Sequence, residues 1–380
     1  MKIAGRWIRA AGVQTILGLL ETGGHRAYLV GGCVRNDLLG RPVADIDIAT
    51  DATPDRVAAL AAEAGITAVP TGIEHGTLTL VIGGIPHEVT TFRRDVATDG
   101  RRARVSYAAG LAEDAARRDF TMNALYADAS GQILDPIGGL PDLRARRVRF
   151  VGDPGARVRE DYLRILRFFR FHAHYGDPEQ GLDAEALAAC AAHLDGLRAL
   201  SRERVGHELR RLLGAPDPAP AVAAMAKSGV LARVLPGADP RFLAPLVDLE
   251  AELMPDWRRR LAVLGGPDPT EGLRLSRSES RDLAALRDGL SSAMAAGELG
   301  YRYGADVARD ILLLRAATGG GRLPAGWEQT VQHGAAARFP VSARDLTPAL
   351  SGPELGARLR DIEARWIASG FELSREQLLS

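Results

Sequence analysis

Tyr28-Leu-Val-Gly-Gly-Cys-Val-Arg-Asn-Asp-Leu-Leu-Gly-Arg-Pro-Val-Ala-Asp-Ile-Asp-Ile48 is the stretch from which the rest of the chain is best read. Ala27 to Val30 reads as a buried strand, Gly31-Gly32 turns it into a helix over Val34 to Leu39, and Asp45 to Ala49 alternates as a second strand. Residues two apart on a strand face the same side. Asp45 and Asp47 can therefore hold a divalent metal together while Ile46 and Ile48 face a core. Glycines ahead of a helix let backbone N–H groups approach an anion closely, and Arg35 stands one turn further on. A simple strand-to-helix turn beside two solvated carboxylates is the plainer reading of the same residues.

Downstream, Thr53-Pro54-Asp55 starts a helix through Ala64, with Thr as N-cap and Pro in the first turn. Thr77 to Ile82 and Pro86 to Phe92 flank Gly83-Gly84 as a hairpin, and the second of these strands carries Glu88, a candidate third carboxylate. Ala124 to Ala127 and Gln132 to Leu134 flank a turn at Ser130-Gly131 as a further strand pair. Beyond Pro141 the strands fade into helices. Breaks are expected at Gly214 to Pro220, Pro236, Gly266-Pro267, Gly319 to Gly321 and Pro324. The expected division is an α/β head over residues 1–150, a helical neck over 151–215, and a helical body and tail over 216–380.

Two more segments are dense in polar chemistry. In Asp114-Ala-Ala-Arg-Arg-Asp-Phe-Thr-Met-Asn-Ala124, Arg117 or Arg118 can clamp a triphosphate, or both can pair with Asp114 and Asp119 as structural ion pairs. In Glu160-Asp-Tyr-Leu-Arg-Ile-Leu-Arg-Phe-Phe-Arg-Phe171, Asp161, Arg164, Arg167 and Arg170 recur at a step of three. On one helix from Asp161 to His174, each would neighbour the next in a row wrapping half the surface. A carboxylate and a guanidinium side by side can read a base edge, Asp accepting from an exocyclic amine and Arg donating to ring acceptors. Adenine and cytosine share that pattern. A solvated face of i,i+3 ion pairs is the commoner fate of such spacing.

The 380 residues allow two or three domains, and a hydrophobic fraction of 46% with 25% charged residues is that of an ordinary globular protein. The formal net charge of +0 favours no partner class, but nine arginines face four acids between Pro141 and Tyr175. Cys33 and Cys190 lie far apart and read as buried thiols of a reducing compartment, not a disulfide. Arg6, Arg9, Gln14 and Glu21 interrupt the N-terminal apolar residues, which excludes a signal-peptide pattern there. No run approaches the ~20 apolar residues of a membrane span, so the expected location is cytoplasmic, with no membrane partner.

Taken in order, Leu-Val-Gly-Gly-Cys-Val-Arg-Asn-Asp-Leu-Leu-Gly-Arg, Asp-Ile-Asp, Arg-Arg-Asp-Phe-Thr-Met-Asn-Ala-Leu and Glu-Asp-Tyr-Leu-Arg-Ile-Leu-Arg resemble the motifs of the class II tRNA nucleotidyltransferase and bacterial poly(A) polymerase family. The resemblance covers Ala27 to Phe171. It implies an α+β fold: a polymerase-beta-type head with a small mixed β-sheet, then an all-α neck, body and tail. It implies that Asp45 and Asp47 bind Mg²⁺, that Gly32, Arg35 and Arg118 bind the nucleotide, and that Asp161 and Arg164 read CTP or ATP with Arg167 and Arg170 in support. The implied reaction adds C, C and A to the tRNA 3′ end with release of pyrophosphate. Poly(A) synthesis and a catalytically inactive RNA-binding relative are the competing readings. One departure stands out: the family usually carries Val-Arg-Asp where this chain has Val34-Arg35-Asn36, which removes a charge beside Arg35.

Overall fold

The computed structural model describes residues 1–73, 76–98, 103–108, 110–251, 253–347 and 350–380. The chain forms two compact units, Met1–Arg204 with Lys227–Arg233, and Val205–Ala226 with Val234–Ser380.

The first unit holds the strands: β1 (Ala27–Val30), β2 (Asp47–Thr50), β3 (Thr67–Gly72), β4 (Thr77–Ile82), β5 (Ile85–Thr91), β6 (Arg93–Thr98), β7 (Ala103–Tyr107), β8 (Tyr126–Ala127) and β9 (Ile133–Leu134). Seven of them make one sheet in the order β3-β4-β5-β2-β1-β8-β9, while β6 and β7 pair as a separate ribbon. The β2–β5 pairing is parallel and the others antiparallel, so the sheet is mixed, as expected for this fold class. Gly83 and Gly84 take φ of 59° and 79°, the left-handed pair that a tight two-residue hairpin needs between β4 and β5.

Two neighbouring rows across this sheet define its faces. Leu29, Ile48, Val89 and Leu78 stand opposite one another in successive strands and are all buried. Helices α1 (Ala11–Thr22) and α3 (Pro54–Glu63) pack on the sheet. In α1, Val13, Ile16, Leu17 and Leu20 recur at helical spacing and are buried. The Thr53 hydroxyl caps α3 by accepting from the Arg56 N–H. One residue along, Val30, Asp47, Glu88, Thr79 and Val69 form the row on the opposite face. Between β1 and β2 lies the short helix α2 (Gly32–Leu38).

Helix α4 (Leu111–Ala116) precedes β8, and after β9 every described element is helical, including α5 (Leu140–Arg144), α6 (Pro154–Glu160), α7 (Leu163–Tyr175), α8 (Ala184–Ala192) and α9 (Arg202–Leu213). The helix expected over Asp161 to His174 is α7, corrected to begin at Leu163, because Asp161, which parts it from α6, is extended at φ −153° and ψ 105°. The cause is local. The Asp161 side chain accepts the Leu163 N–H at 3.0 Å, satisfying a donor that a helix start leaves orphaned.

Further along the chain, helices end at Val234, Leu264 and Gly319, beside the breaks read from Pro236, Gly266-Pro267 and Gly319 to Gly321. The Pro-rich stretch after α9 is stapled by a buried charge cluster. Arg260, 1% exposed, donates to the carbonyls of Leu213 (2.7 Å), Ala215 and Pro216 (3.0 Å) and to Glu250. Glu250 also accepts from Arg259, which reaches Asp310. A cation at the C-terminal carbonyls of α9 meets the negative end of that helix.

Candidate active site

The carboxylates come from strand register. β2 sits between β1 and β5, with Asp47 opposite Val30 on one side and Glu88 on the other. The expected strand from Asp45 is corrected to one beginning at Asp47. On the β1 side the ladder stops because Gly31 turns away at φ 73°. On the β5 side the parallel register would set Asp45 opposite Pro86, which has no N–H to donate. Asp45 stands exposed at the mouth, Ile46 is half-buried and Ile48 fully buried.

Asp45, Asp47 and Glu88 nevertheless line one cleft of ≈ 610 Å³, with Thr79 and Ile85 on its far wall. That volume lies in the range of small-molecule sites. Burial, then the negative charge of Glu88, hold the Asp47 carboxyl above its usual range, with Asp45 adding to this and Arg118 opposing it. Carboxylates crowded so that one resists ionising are a donor set suited to a hard divalent cation. Among the described residues no three side chains form a complete metal cage. A hard divalent cation such as Mg²⁺ usually takes one or two carboxylates and completes its shell with water and substrate phosphates. Asp45 and Asp47 are the residues that would hold it.

On the β1 side of Asp47 lie the cationic groups. Arg118 rests against the turn, since a Cβ on Gly31 would stand 3.4 Å from its Nη1. Its Nε donates to the Tyr126 hydroxyl and its Nη2 to Asp114, both at 3.0 Å. Arg117 also bonds Asp114, so one buried carboxylate orders both arginines of the pair. Burial would raise the Asp114 carboxyl, but Arg118 and Arg117 outweigh it and hold it below the usual range. Asp119 serves neither of them. It accepts from Arg167 instead.

Arg35 is 6% exposed and fully engaged. It donates to Asn123 Oδ1, to the Tyr175 hydroxyl at 2.7 Å and to Asn36 Oδ1 at 2.9 Å, and its guanidinium stacks 4.0 Å from the Tyr175 ring centre. The departure at Asn36 thus has a use. Its Nδ2 donates to the Pro42 carbonyl at 3.0 Å, a bond that a carboxylate has no proton to make. Gly32 opens α2 beside Arg35, whose Nη2 lies 3.8 Å from the place of a Cβ there.

The residues expected to read the base lie together, the Arg164 N–H donating to the Asp161 carbonyl at 2.9 Å, while their side chains have separate protein partners. Asp161 Oδ2 accepts from Arg204 at 2.6 Å, and Arg164 pairs with Glu160 and donates to the carbonyls of Arg157 (2.9 Å) and Arg117 (3.2 Å). Arg167 donates to Asp119 through Nε at 2.9 Å. The polar row expected along the helix is corrected at its end: Arg170 is 3% exposed, with its guanidinium 4.7 Å from the Phe171 ring centre. A step of three drifts backward by about 60° each time, which carries the third arginine out of the row. Asn123 completes a chain that sequence reading did not assign, linking Arg35, Asn123, Asp119 and Arg167. Tyr175 and Arg204 were also missed. Tyr175 ends α7 and Arg204 lies in α9, and no local pattern marks either of them.

Comparison with known proteins agrees with this fold. A family model described as "Poly A polymerase head domain" matches residues 27–149, and one described as "Probable RNA and SrmB- binding site of polymerase A" matches residues 181–242. The chain is 31% identical to CCA tRNA nucleotidyltransferase 1, mitochondrial, of Mus musculus, over 97% of this chain and 89% of that protein. It is 34% identical to the CCA-adding enzyme of Levilactobacillus brevis, over 92% and 91%. It is also similar to the crystal structure of the Bacillus stearothermophilus CCA-adding enzyme in complex with CTP, with a TM-score of 0.76 and 30% identity over 96% of this chain and 94% of that one.

Proposed function

We propose, because this chain belongs to the family of CCA-adding tRNA nucleotidyltransferases, that it adds C, C and A to the 3′ end of tRNA from CTP and ATP. The observation that carries the reading is the register of Asp47 between Val30 and Glu88. It sets the carboxylates beside a cleft on one side and the Gly31 turn with Arg118 on the other.

In the reaction the tRNA 3′ hydroxyl oxygen bonds to the α-phosphorus of CTP or ATP. The bond from that phosphorus to the bridging oxygen breaks, pyrophosphate leaves, and the hydroxyl proton passes to water. Mg²⁺ bound at Asp45 and Asp47 would neutralise charge developing on the phosphates and lower the cost of ionising the hydroxyl. Arg118, backed by Asp114 and Tyr126, binds the triphosphate, with Gly32 and Arg35 shaping the turn beneath it. Glu88 completes the carboxylate set. Asp161 accepts from the exocyclic amine of cytosine or adenine, and Arg164 donates to the ring. Arg167 and Arg170 hold that helix in place. Residues 1–150 serve as catalytic head, 151–215 as neck, and 216–380 as body and tail gripping tRNA. Binding through phosphates should weaken with salt.

No described helix is long and apolar enough to cross a membrane. Two buried free thiols fit a reducing cytoplasm.

The decisive experiment offers tRNA lacking its 3′ end with labelled CTP or ATP separately. Two CMP additions followed by a stop are expected, then one AMP. Long A tracts without CMP incorporation would reject CCA addition in favour of poly(A) synthesis, and no incorporation at all would make the chain an RNA-binding relative.

A further inference from the structure

Resting on the assignment of a divalent metal to Asp45 and Asp47 above, we infer that Asn36 and Tyr175 are positioning residues for Asp45. They fasten the loop that carries it to the buried guanidinium of Arg35.

The sheet does not place Asp45. The β2 ladder begins at Asp47, and Asp45 stands exposed at the cleft mouth. Its position is therefore set by the loop between α2 and the strand. Two backbone bonds close the end of α2, the Gly40 N–H donating to the Asp37 carbonyl at 3.0 Å and the Arg41 N–H to the Asn36 carbonyl at 2.8 Å. Neither depends on the side chain at position 36.

Two further links are made by side chains. Asn36 Nδ2 donates to the Pro42 carbonyl at 3.0 Å, while its Oδ1 accepts from Arg35 Nε at 3.2 Å and Nη2 at 2.9 Å. An amide has a donor end and an acceptor end, so Asn36 serves both neighbours at once. A carboxylate would set an oxygen lone pair against the Pro42 carbonyl. One residue earlier in the loop, the Arg41 guanidinium lies 4.9 Å from the Tyr175 ring centre. The same ring stacks on Arg35 at 4.0 Å, and its hydroxyl accepts from Arg35 Nη2 at 2.7 Å. Arg35 is thus joined by separate paths, through Asn36 and through Tyr175, to the adjacent loop residues Pro42 and Arg41.

That pair is where the loop is best steered. The Pro42 ring fixes its φ, and the residue before a proline is held to extended backbone. From Pro42 the chain has three residues, at most about 11 Å, in which to reach Asp45. The bond to the Pro42 carbonyl orients the first peptide plane of that reach. Asp47, by contrast, is fixed by pairing with Val30 and Glu88. One metal carboxylate is held by the sheet and the other by side chains gathered on Arg35.

The test titrates the protein with Mn²⁺ as probe, without nucleotide, and reads the free ion by electron paramagnetic resonance. Loss of one link should weaken binding by about threefold to tenfold in Asn36→Asp and in Tyr175→Leu. Asn36→Asp is the sharper variant, because Coulomb attraction alone would make an added negative charge tighten metal binding. Tyr175→Phe keeps a ring under Arg41 and should stay within about twofold of wild type. In an Asp45→Ala background the loop has no carboxylate to present. There Asn36→Asp should change the affinity by less than about twofold, which a general loss of stability would not produce. Thermal melts establish that each variant folds, and Asn36→Asp decides alone if Tyr175→Leu does not. Unchanged or tighter Mn²⁺ binding in folded Asn36→Asp overturns the inference, as does an equal effect with and without Asp45. Should Asp45→Ala alone bind Mn²⁺ like the wild type, the metal assignment itself fails instead.

Discussion

Arg167 on α7 and Asp119 after α4 meet as an ion pair inside the first unit, Nε donating to Oδ2 at 2.9 Å. Asp119 also accepts from Asn123 at 2.9 Å and from the Phe120 N–H at 2.8 Å. Burial alone would raise its carboxyl; Arg167 and these hydrogen bonds bring it down to about 2. A folded-state pKa below the unfolded one stabilises above about pH 4 and is lost as pH falls through about 2, a contribution of about 2 kcal/mol. Arg167→Met should remove most of that acid-limb dependence and lower stability at pH 7 by a similar amount. Denaturant unfolding at pH 7, 4 and 2.5 checks it, and a variant with the wild-type pH slope would show that the pair contributes nothing.

Asp47→Ala should reduce CMP incorporation by about 10³-fold or more, a loss of about 4 kcal/mol in transition-state stabilisation. tRNA binding, measured by fluorescence anisotropy, should stay close to wild type. Transfer near the wild-type rate would show that the metal is held elsewhere.

Asp161→Ala removes the proposed acceptor for the base amine and also frees Arg204. Discrimination of CTP against UTP should fall by about 10- to 100-fold, corresponding to about 1–3 kcal/mol. Single-turnover incorporation of each of the four nucleotides reads this directly. Unaltered selectivity would place base reading on other residues.

Gly31→Ala forces a side chain into φ 73° and places its Cβ 3.4 Å from Arg118 Nη1. Backbone strain of this kind costs of order 1–3 kcal/mol. Gly83→Ala, at φ 59° in the β4–β5 hairpin with open space around it, suffers strain without approaching Arg118. Both should lower Tm, but only Gly31→Ala should raise KM for CTP. Equal effects on KM would mean that the turn does not contact the triphosphate.

The pattern of apolar and polar residues made much of this legible. The β1 strand, the Thr53 cap, the Gly83-Gly84 hairpin and the later helix breaks follow from local chemistry that each segment carries within itself. The adjacency of Asp47 and Glu88 does not, because parallel pairing joins strands separated by other elements and no local signal records it. The Asp161 break was hidden for a related reason. An aspartate just ahead of a helix and one that rides inside it share the same apolar spacing, and only the hydrogen bond to the Leu163 N–H tells them apart. The ribbon β6–β7 gave no alternation clear enough to be read, and the partners of Arg35 come from distant α7 and from Asn123.

The proline-rich joint after α9 has the composition of a flexible connector, yet the guanidinium of Arg260 grips the carbonyls of Leu213, Ala215 and Pro216 where it begins. Bending there would strand a charge away from water, at a cost of several kcal/mol. The least helical-looking stretch of the second unit therefore acts as a splint, and any flexing of this protein during repeated additions must be sought elsewhere.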